Sequence, residues 1–277
     1  MTTKSKQSSM VFDSAQRGLL AIEELLAVFQ YRELIVQLVR RDLISRYKRS
    51  ILGVAWTMLN PFGTMLILTL VFSRLFHFVQ GYPIYVLSGL IVWTFFSQTS
   101  LAALNQNVWG GSLLHRIYLP RTAFTISALG TGLINLVLSL VPLALIMAVI
   151  SHPFHLSLLY LPVPIFLLAV FTLGIGLLFS TLAIFFPDVV EIFQVALTAW
   201  MYLTPIIYPP EIIPENLVWL LKYNPMYYFV ELFRLPVYEG VIPTAGMLLT
   251  GLTISVSTFV LGWSIFTWKA NELTYRT

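Results

Sequence analysis

Long uncharged apolar stretches alternate with short polar segments along this chain, and the alternation predicts its helices. The runs without an acidic or basic residue measure 24, 41, 66, 19 and 29 residues and cover 50–73, 75–115, 122–187, 192–210 and 240–268. A bilayer core about 30 Å thick is crossed by about 20 apolar residues of α-helix. The 66-residue run is long enough to cross twice, with a turn predicted around Ser151, His152 and Pro153. The pattern therefore predicts six transmembrane helices, with the 41-residue run crossing once.

The distribution of basic residues predicts on which side of the membrane each connecting segment lies. Lysine and arginine in short loops stay on the cytoplasmic side of a membrane. With six spans and both termini in the cytoplasm, 13 of the 16 basic residues lie inside, and only Arg74, Lys222 and Arg234 lie outside. A seventh span would move Arg116 and Arg121 outside. The distribution therefore favours a multi-pass membrane protein with six spans and both termini cytoplasmic.

The segment before the first span predicts an amphipathic helix. Residues 1–16 are polar and predict a disordered tail, whereas 17–50 has helical periodicity. One arc of the wheel is apolar and the other polar, formed respectively by Tyr31, Leu34, Ile35, Leu38, Val39, Leu43 and by Glu33, Gln37, Arg40, Arg41. Asp42 falls on the apolar arc, with Arg46 four residues on as its predicted partner. A basic amphipathic helix here is typical of the membrane interface.

The polypeptide between spans five and six differs from the other loops. It is apolar but is interrupted by five prolines, at Pro209, Pro210, Pro214, Pro225 and Pro236. A segment too interrupted to span and too apolar for water predicts a re-entrant pair of short helices in the outer leaflet. The whole prediction is an all-α membrane protein with a six-span domain over 51–270 and a cytoplasmic tail over 271–277.

Two acidic residues sit at the predicted start of span five. Asp188 and Glu191 have the spacing of an N-cap and its N3 partner, which predicts that they cap the helix.

The composition excludes several classes of function. The chain is 58% hydrophobic and 10% charged, against about 25% charged in soluble domains. Its net charge of +4 fits topology and contact with anionic membrane lipids, and we expect no nucleic acid partner. No titratable residue lies mid-span and no metal-ligand spacing is present, which disfavours proton-coupled carriers and metalloenzymes. A phosphate-binding loop is also missing, so energy for transport has to come from another subunit.

Aromatic and small residues recur at helical spacing inside the predicted spans. The aromatic set comprises Tyr85, Trp93, Phe96, Phe193 and Trp200. Aromatic faces suit the apolar faces of sugar rings, and the alternatives are lipid contact and helix packing. The small residues predict close helix packing and comprise Ala128, Gly132, Gly174, Gly176 and Ser180.

Several short motifs together resemble one known family. They are Arg32–Ile35, Arg40–Leu43, Arg46–Lys48, Leu52–Gly53, Leu59–Pro61, Ile117–Arg121, Phe186–Asp188, Thr204–Tyr208 and Tyr223–Met226. In order and spacing they resemble the ATP-binding-cassette type 2 exporter permeases, and more narrowly the branch that exports O-antigen, capsule and teichoic acid polysaccharides. The similarity extends over residues 30–270.

The resemblance implies a function, a set of partners and a location in a bacterial plasma (inner) membrane. It implies a homodimer with a translocation path between the two copies, two ATPase subunits that bind ATP and magnesium, and a lipid-linked polysaccharide as cargo. It implies no enzyme activity, no catalytic or metal site and no cofactor in this chain.

The resemblance also implies three groups of site residues. The ATPase contact lies on the amphipathic helix and on the loop Asn107–Arg121, with Arg40, Arg41, Arg46, Lys48, Leu113, His115, Arg116, Tyr118 and Arg121. The glycan channel is lined by Tyr85, Trp93, Phe96, Phe193 and Trp200. The external gate is formed by the helix pair over 214–235, with Trp219, Tyr223, Tyr227 and Phe233.

Two alternatives stay open at this point. The same architecture could export a small hydrophobic drug or lipid. The chain could instead be a membrane-embedded enzyme acting on a lipid-linked glycan, with acid and base groups among Glu211, Glu215, Glu231 and Glu239. Arg234 follows Glu231 at i+3, and this spacing predicts an ordinary surface ion pair rather than a catalytic group.

Overall fold

The computed structural model of the chain describes residues 24, 26, 28–47, 53, 55–109 and 121–274, with only the backbone at 46–47 and 270–274. The α-helices are α1 (Arg32–Tyr47), α2 (Ala55–Phe72), α3 (Tyr82–Trp109), α4 (Thr122–Val149), α5 (Pro162–Phe185), α6 (Val189–Leu203), α7 (Val218–Tyr223), α8 (Pro225–Arg234) and α9 (Ala245–Thr274). Short 3-10 turns cover Leu156–Tyr160, Pro210–Ile212 and Glu215–Leu217, and a π-helical turn covers Leu235–Glu239. Within the described ranges there is no β-strand.

Five of these helices are long and apolar enough to cross a membrane, which makes the chain an all-α, multi-pass membrane protein. They are α2, α3, α4, α9 and the combined 3-10 turn and α5, Leu156–Phe185. Helix α6, the predicted fifth span, has 15 residues and extends about 22 Å. Because this is shorter than a bilayer core of about 30 Å, six complete spans stay a prediction.

Helix α3 is the centre of the packing. It lies against α2, α4, α5, α6 and α8, and its side chains are buried along almost the whole length. Ile84, Leu87 and Leu104, spread from its first turn to its last turns, are all fully buried. Burial of apolar side chains along most of a helix is typical of the interior of a membrane bundle.

The helix predicted before the first span is present as α1, and its amphipathic character stays a prediction. On the predicted apolar arc Leu38 is buried and Leu34, Ile35, Val39 and Leu43 are half-buried, but the apolar Val36 and Ile44 are exposed, as are Arg40 and Arg41. This helix packs on α4. The predicted tail over 1–16 lies outside the described residues.

Two local predictions at helix ends were wrong. Asp188 occupies the N-cap position of α6 but makes no capping hydrogen bond, because its backbone is helical (φ −60°, ψ −19°) and not in the β-region of a capping residue. The predicted loop from Asn107 begins later, since α3 continues to Trp109. The Asn107 side chain donates to Thr125 Oγ1 at 2.9 Å and to Ser180 Oγ at 3.3 Å, which joins α3 to α4 and α5.

Small residues bring α5 and α9 into contact, as the sequence predicts for Gly174. A Cβ atom added to Gly262 of α9 would lie 2.2 Å from the backbone oxygen of Gly174. Ser255 Oγ donates to the carbonyl of Leu167 at 2.8 Å, a second close approach of the same two helices. Close backbone packing through small residues is typical of membrane helices.

This contact predicts the effect of a single methyl group. Gly262→Ala would push α9 away from α5, and we expect it to destabilise the protein by about 1–3 kcal/mol, the usual cost of overpacking. Gly246→Ala on the same helix is the matched control, because no atom lies within 4 Å of its added Cβ. Thermal unfolding in lipid nanodiscs should give a lower midpoint for Gly262→Ala alone. Equal midpoints for the two variants would contradict the packing described.

Candidate functional site

Helix α3 carries polar contacts at both of its ends and an aromatic cluster between them. Tyr85 lies near its beginning and Gln106 near its end, about 32 Å apart along the helix axis. Trp93 and Phe96 lie between these two residues. The three regions are described here from the α8 end to the α1 end.

At the α8 end, the Arg234 guanidinium is buried; its two terminal nitrogens donate to acceptors, whereas its Nε has no hydrogen-bond partner among the described residues. The side chain is 1% exposed. Its Nη1 donates to Glu231 Oε1 at 2.7 Å and to Tyr85 Oη at 3.0 Å, while its Nη2 donates to the carbonyl of Pro205 at 3.1 Å. Cζ also lies 3.8 Å from the centre of the Tyr85 ring. We call Arg234, Glu231, Tyr85 and the carbonyl of Pro205 the Arg234 cluster.

The prediction of a surface ion pair between Glu231 and Arg234 was wrong. The i+3 spacing does bring the two groups together, but both are buried because α8 packs against α3. A local sequence pattern reports the spacing of a pair and not the element that covers it. Neither the role of Tyr85 here nor that of the Pro205 carbonyl was expected from sequence.

Asn224 explains why α8 begins where it does. Its side-chain oxygen accepts from the Met226 backbone nitrogen at 3.0 Å, which caps α8, and Pro225 occupies the first helical position. The same oxygen accepts from Trp200 Nε1 at 2.8 Å, and Asn224 Nδ2 donates to Thr204 Oγ1 at 3.0 Å. The two motifs Thr204–Tyr208 and Tyr223–Met226 therefore meet in space.

The Thr204–Tyr208 motif also accepts hydrogen bonds from two tyrosines at the beginning of α3. Tyr85 Oη donates to the carbonyl of Tyr208 at 3.0 Å, and Tyr82 Oη donates to the carbonyl of Ile207 at 2.8 Å. These bonds fix the extended chain after α6 against the beginning of α3. The carbonyls of a non-helical segment need such donors, because unsatisfied backbone groups are costly away from water.

The four glutamates of the enzyme alternative have different surroundings. Glu231 is in the buried ion pair, whereas Glu211 and Glu215 are exposed. Glu239 is also on the surface, where partial burial and then the nearby charge of Glu231 raise the pKa of its carboxyl group. Only Glu231 of the four belongs to the Arg234 cluster, and there it serves as an ion-pair partner.

The aromatic residues of the predicted channel form a cluster inside the chain. The ring of Phe96 lies 5.3 Å from Trp200 and 5.4 Å from Phe171, and Trp93 lies 6.3 Å from Trp200. Tyr85, Trp93, Phe96 and Phe193 are each at most 5% exposed, and Trp200 is half-buried. In this structure their contacts are those of helix packing.

The predicted gate residues are divided between surface and core. Trp219 and Tyr223 on α7 are exposed, and their rings lie 6.5 Å apart. Tyr227 on α8 is half-buried, whereas Phe233 is fully buried. In this helix pair, α7 therefore exposes aromatic rings, and α8 packs against α3.

At the opposite end of α3, a chain of hydrogen bonds reaches α1. Gln106 Nε2 donates to Asp42 Oδ2 at 2.6 Å, and Ser127 Oγ of α4 donates to Gln106 Oε1 at 3.0 Å. Arg41 forms an ion pair with the other Asp42 oxygen at 3.0 Å. Asp42 is therefore held by Gln106, a partner 64 residues away that helical periodicity alone could not indicate.

The predicted ATPase contact is only partly within the described residues. Arg40 and Arg41 are exposed on α1, whereas Arg121 is buried at the beginning of α4, where burial lowers the pKa of its guanidinium. The side chains of Arg46, Lys48, Leu113, His115, Arg116 and Tyr118 lie outside the described residues.

The Arg234 cluster predicts a large effect of neutralising the guanidinium. Arg234→Met would leave Glu231 buried without its cation and two acceptors without donors, so we expect a loss of about 3–5 kcal/mol. Lys222→Met, at an exposed position in the same region, should have little effect. Thermal unfolding in nanodiscs measures the difference.

A double variant separates the ion pair from general loss of packing. Arg234→Met with Glu231→Leu removes both charges, and it should recover part of the stability lost by Arg234→Met alone. If the double variant is less stable than Arg234→Met, the buried carboxylate is not the source of the loss.

Comparison of the sequence with known proteins assigns the chain to a family. Residues 33–238 match the model of the ABC-2 type transporter family. The chain is 31% identical over 250 residues to the O-antigen export system permease protein RfbA of Myxococcus xanthus, covering 88% of this chain and 95% of that protein. A Klebsiella pneumoniae protein of the same name is 27% identical, covering 88% and 93% of the two chains. The polysialic acid transport protein KpsM of Escherichia coli is 28% identical, covering 73% and 80%. This chain belongs to the ABC-2 type transporter family.

Proposed function

We propose that the chain is the membrane permease subunit of an ATP-binding-cassette exporter that moves a polysaccharide out of the cytoplasm. The observation that carries the proposal is similarity over nearly the full length to permeases named for O-antigen export and to a polysialic acid transport protein. The resemblance seen in the sequence motifs points to the same branch. We further propose that this polysaccharide is lipid-linked.

Energy comes from separate ATPase subunits in this proposal. The sequence has no phosphate-binding loop, so the chain needs a nucleotide-binding partner to move cargo uphill. The proposed complex has two copies of this chain and two ATPase subunits, in the plasma membrane with both termini cytoplasmic. Exposed Arg40 and Arg41 on α1 support a cytoplasmic docking surface.

The mechanism uses α3 to connect this surface with the external helices. Nucleotide-driven movement of the ATPase displaces α1, and the hydrogen bonds of Gln106 with Asp42 and Ser127 carry the displacement to α3 and α4. At its other end, α3 holds α8 through Tyr85 and Arg234. Displacement of α3 therefore moves the external helix pair.

The aromatic cluster has a bracing role in this mechanism. Tyr85, Trp93, Phe96 and Phe193 are buried within one chain, so they stiffen the connection between α3, α5, α6 and α8. The packing role that the sequence also allowed is the one we propose for them. Exposed Trp219 and Tyr223 remain the aromatic residues proposed to meet the cargo at the external side.

Reconstitution tests the proposed function. Vesicles that contain this chain and its ATPase should move a lipid-linked polysaccharide across the bilayer when ATP is added, and vesicles with the chain alone should move none. A fluorescent label on the glycan, tested for protection from reagents added outside the vesicles, reports on which side of the membrane the glycan lies.

Each alternative gives a different result in the same vesicles. Transport of a hydrophobic dye with no movement of the glycan would favour the drug or lipid exporter. Glycosyl or phosphate transfer by the chain alone would favour the enzyme. ATP-independent accumulation of the glycan would contradict the need for a partner ATPase.

A further inference from the structure

A cavity of about 610 Å³ lies between α1, α2, α3 and α4, apart from the Arg234 cluster and the aromatic cluster. Small-molecule sites in proteins usually have about 300–1,000 Å³, so this volume suits a ligand of one or two rings. Asp42, Ser45 and Gln106 line its α1 end. The cavity is therefore next to the contact that joins α1 to α3.

Uncharged amides and hydroxyls dominate the polar part of the lining. The amides are Asn60 of α2, Gln98 of α3 and Asn135 of α4. Among the described residues that line the cavity there is no lysine or arginine. Among the described lining residues Asp42 supplies the single charge, and it is already bound by Arg41 and Gln106. The described part of the lining therefore offers no cation to an anionic ligand.

Several oxygens on the walls lack a hydrogen-bond partner among the described residues. They are Thr99 Oγ1 of α3 and both Thr131 Oγ1 and Asn135 Oδ1 of α4. Thr99 and Thr131 are 4% and 8% exposed, respectively. Buried polar groups are nearly always hydrogen-bonded, because leaving one unpaired is costly. These three oxygens are covered by protein, so the amides that a hydroxyl-rich ligand could reach include those of the exposed Asn60 and Gln98.

The cavity extends to the middle of α3, where an exposed polar side chain is unusual for a membrane helix. Gln98 is exposed although it lies in the middle of α3, about 12 Å along the axis from Gln106. Polar side chains at membrane depth normally face protein or a water-filled cavity. Trp56 adds an aromatic face to the lining and is 54% exposed. Aromatic faces and nearby amides together suit a ring with apolar faces and a polar edge.

From these observations we propose that the cavity between α1, α2, α3 and α4 binds a neutral pyranose unit at the cytoplasmic half of the chain. The inference rests on the proposed polysaccharide transport and assigns a sugar site within a single protomer. The amides of Asn60, Gln98 and Asn135 bind hydroxyl groups of the ring, while Trp56 packs on its face. Because Asp42 and Gln106 also line the site, movement of α1 changes its shape.

Protection of a single cysteine tests the proposal. The native chain has no cysteine, so Thr94→Cys places one thiol in the cavity lining. The full chain, with its ATPase, is held in lipid nanodiscs and labelled with a small neutral thiol reagent. Octyl β-glucoside below its micelle concentration is the probe. At about twice its dissociation constant, mass action should slow labelling about threefold.

Matched controls identify the origin of protection. Asn216→Cys, exposed in the external segment, should be labelled at the same rate with and without the probe. Octyl tetraoxyethylene ether and octyl phosphate carry the same alkyl chain without a sugar ring, and neither should protect Thr94→Cys. Adding Gln98→Leu, an exposed position where folding is not at stake, should abolish protection by the glucoside.

The outcomes either support or overturn the site. No protection by octyl β-glucoside, equal protection by the polyether or the phosphate, or protection that persists with Gln98→Leu would each overturn it. Glycan export by vesicles of the native complex is measured in parallel. Glycan export without protection of Thr94→Cys would overturn the sugar site alone. Absence of both export and protection would overturn the proposed function as well.

Discussion

A guanidinium group placed in an apolar environment needs acceptors and a countercharge, and this requirement organises the α8 end of the chain. Transfer of an unpaired charge out of water is very costly. The terminal nitrogens of Arg234 bind the Glu231 carboxylate, the Tyr85 hydroxyl and the Pro205 carbonyl, which come from α8, α3 and the segment after α6. Three separate parts of the sequence are therefore fixed by one side chain. The exposed α7 helix extends from this fixed point.

At the other end of α3, the hydrogen bonds that this helix makes to its neighbours come from amide side chains and not from a guanidinium. There Gln106 links Asp42 of α1 to Ser127 of α4, and Asn107 links α3 to α4 and α5. Amide groups can join helices at membrane depth at a much lower solvation cost than charges. One continuous helix therefore has polar attachments at both ends and aromatic packing in its centre. In our proposal this helix transmits the movement of α1 to α8.

The sequence was sufficient for those parts of the structure that depend on local pattern. Apolar run lengths predicted the long helices, and small residues predicted the close approach at Gly174. Motif order predicted the family. These features are readable because hydrophobic thickness and helical period act on neighbouring residues.

The parts that the sequence did not predict depend on contacts between distant residues. The i+3 spacing of Glu231 and Arg234 is the same for an exposed pair and a buried one, and only the packing of α8 on α3 distinguishes them. The helical period predicts Arg46 as a partner of Asp42, and the side chain of Arg46 lies outside the described residues; the contact of Asp42 with Gln106 is not indicated by any local pattern. The uncharged amides Gln98 and Asn135 were not among the predicted site residues. An amide in the middle of an apolar run is the signal that could have indicated the cavity.

The central claim, that α3 connects α1 to the external helix pair, is tested most directly by a distance measurement in the working complex. Spin labels on cysteines at Arg74 and Asn216, two exposed positions in the predicted external segments, report the position of the helix pair. We predict that ATP changes the distance distribution between the two labels in the otherwise native complex. With Gln106→Leu, ATP hydrolysis should continue while the distance distribution stays unchanged. An equal ATP-dependent change in the Gln106→Leu complex would contradict the claim.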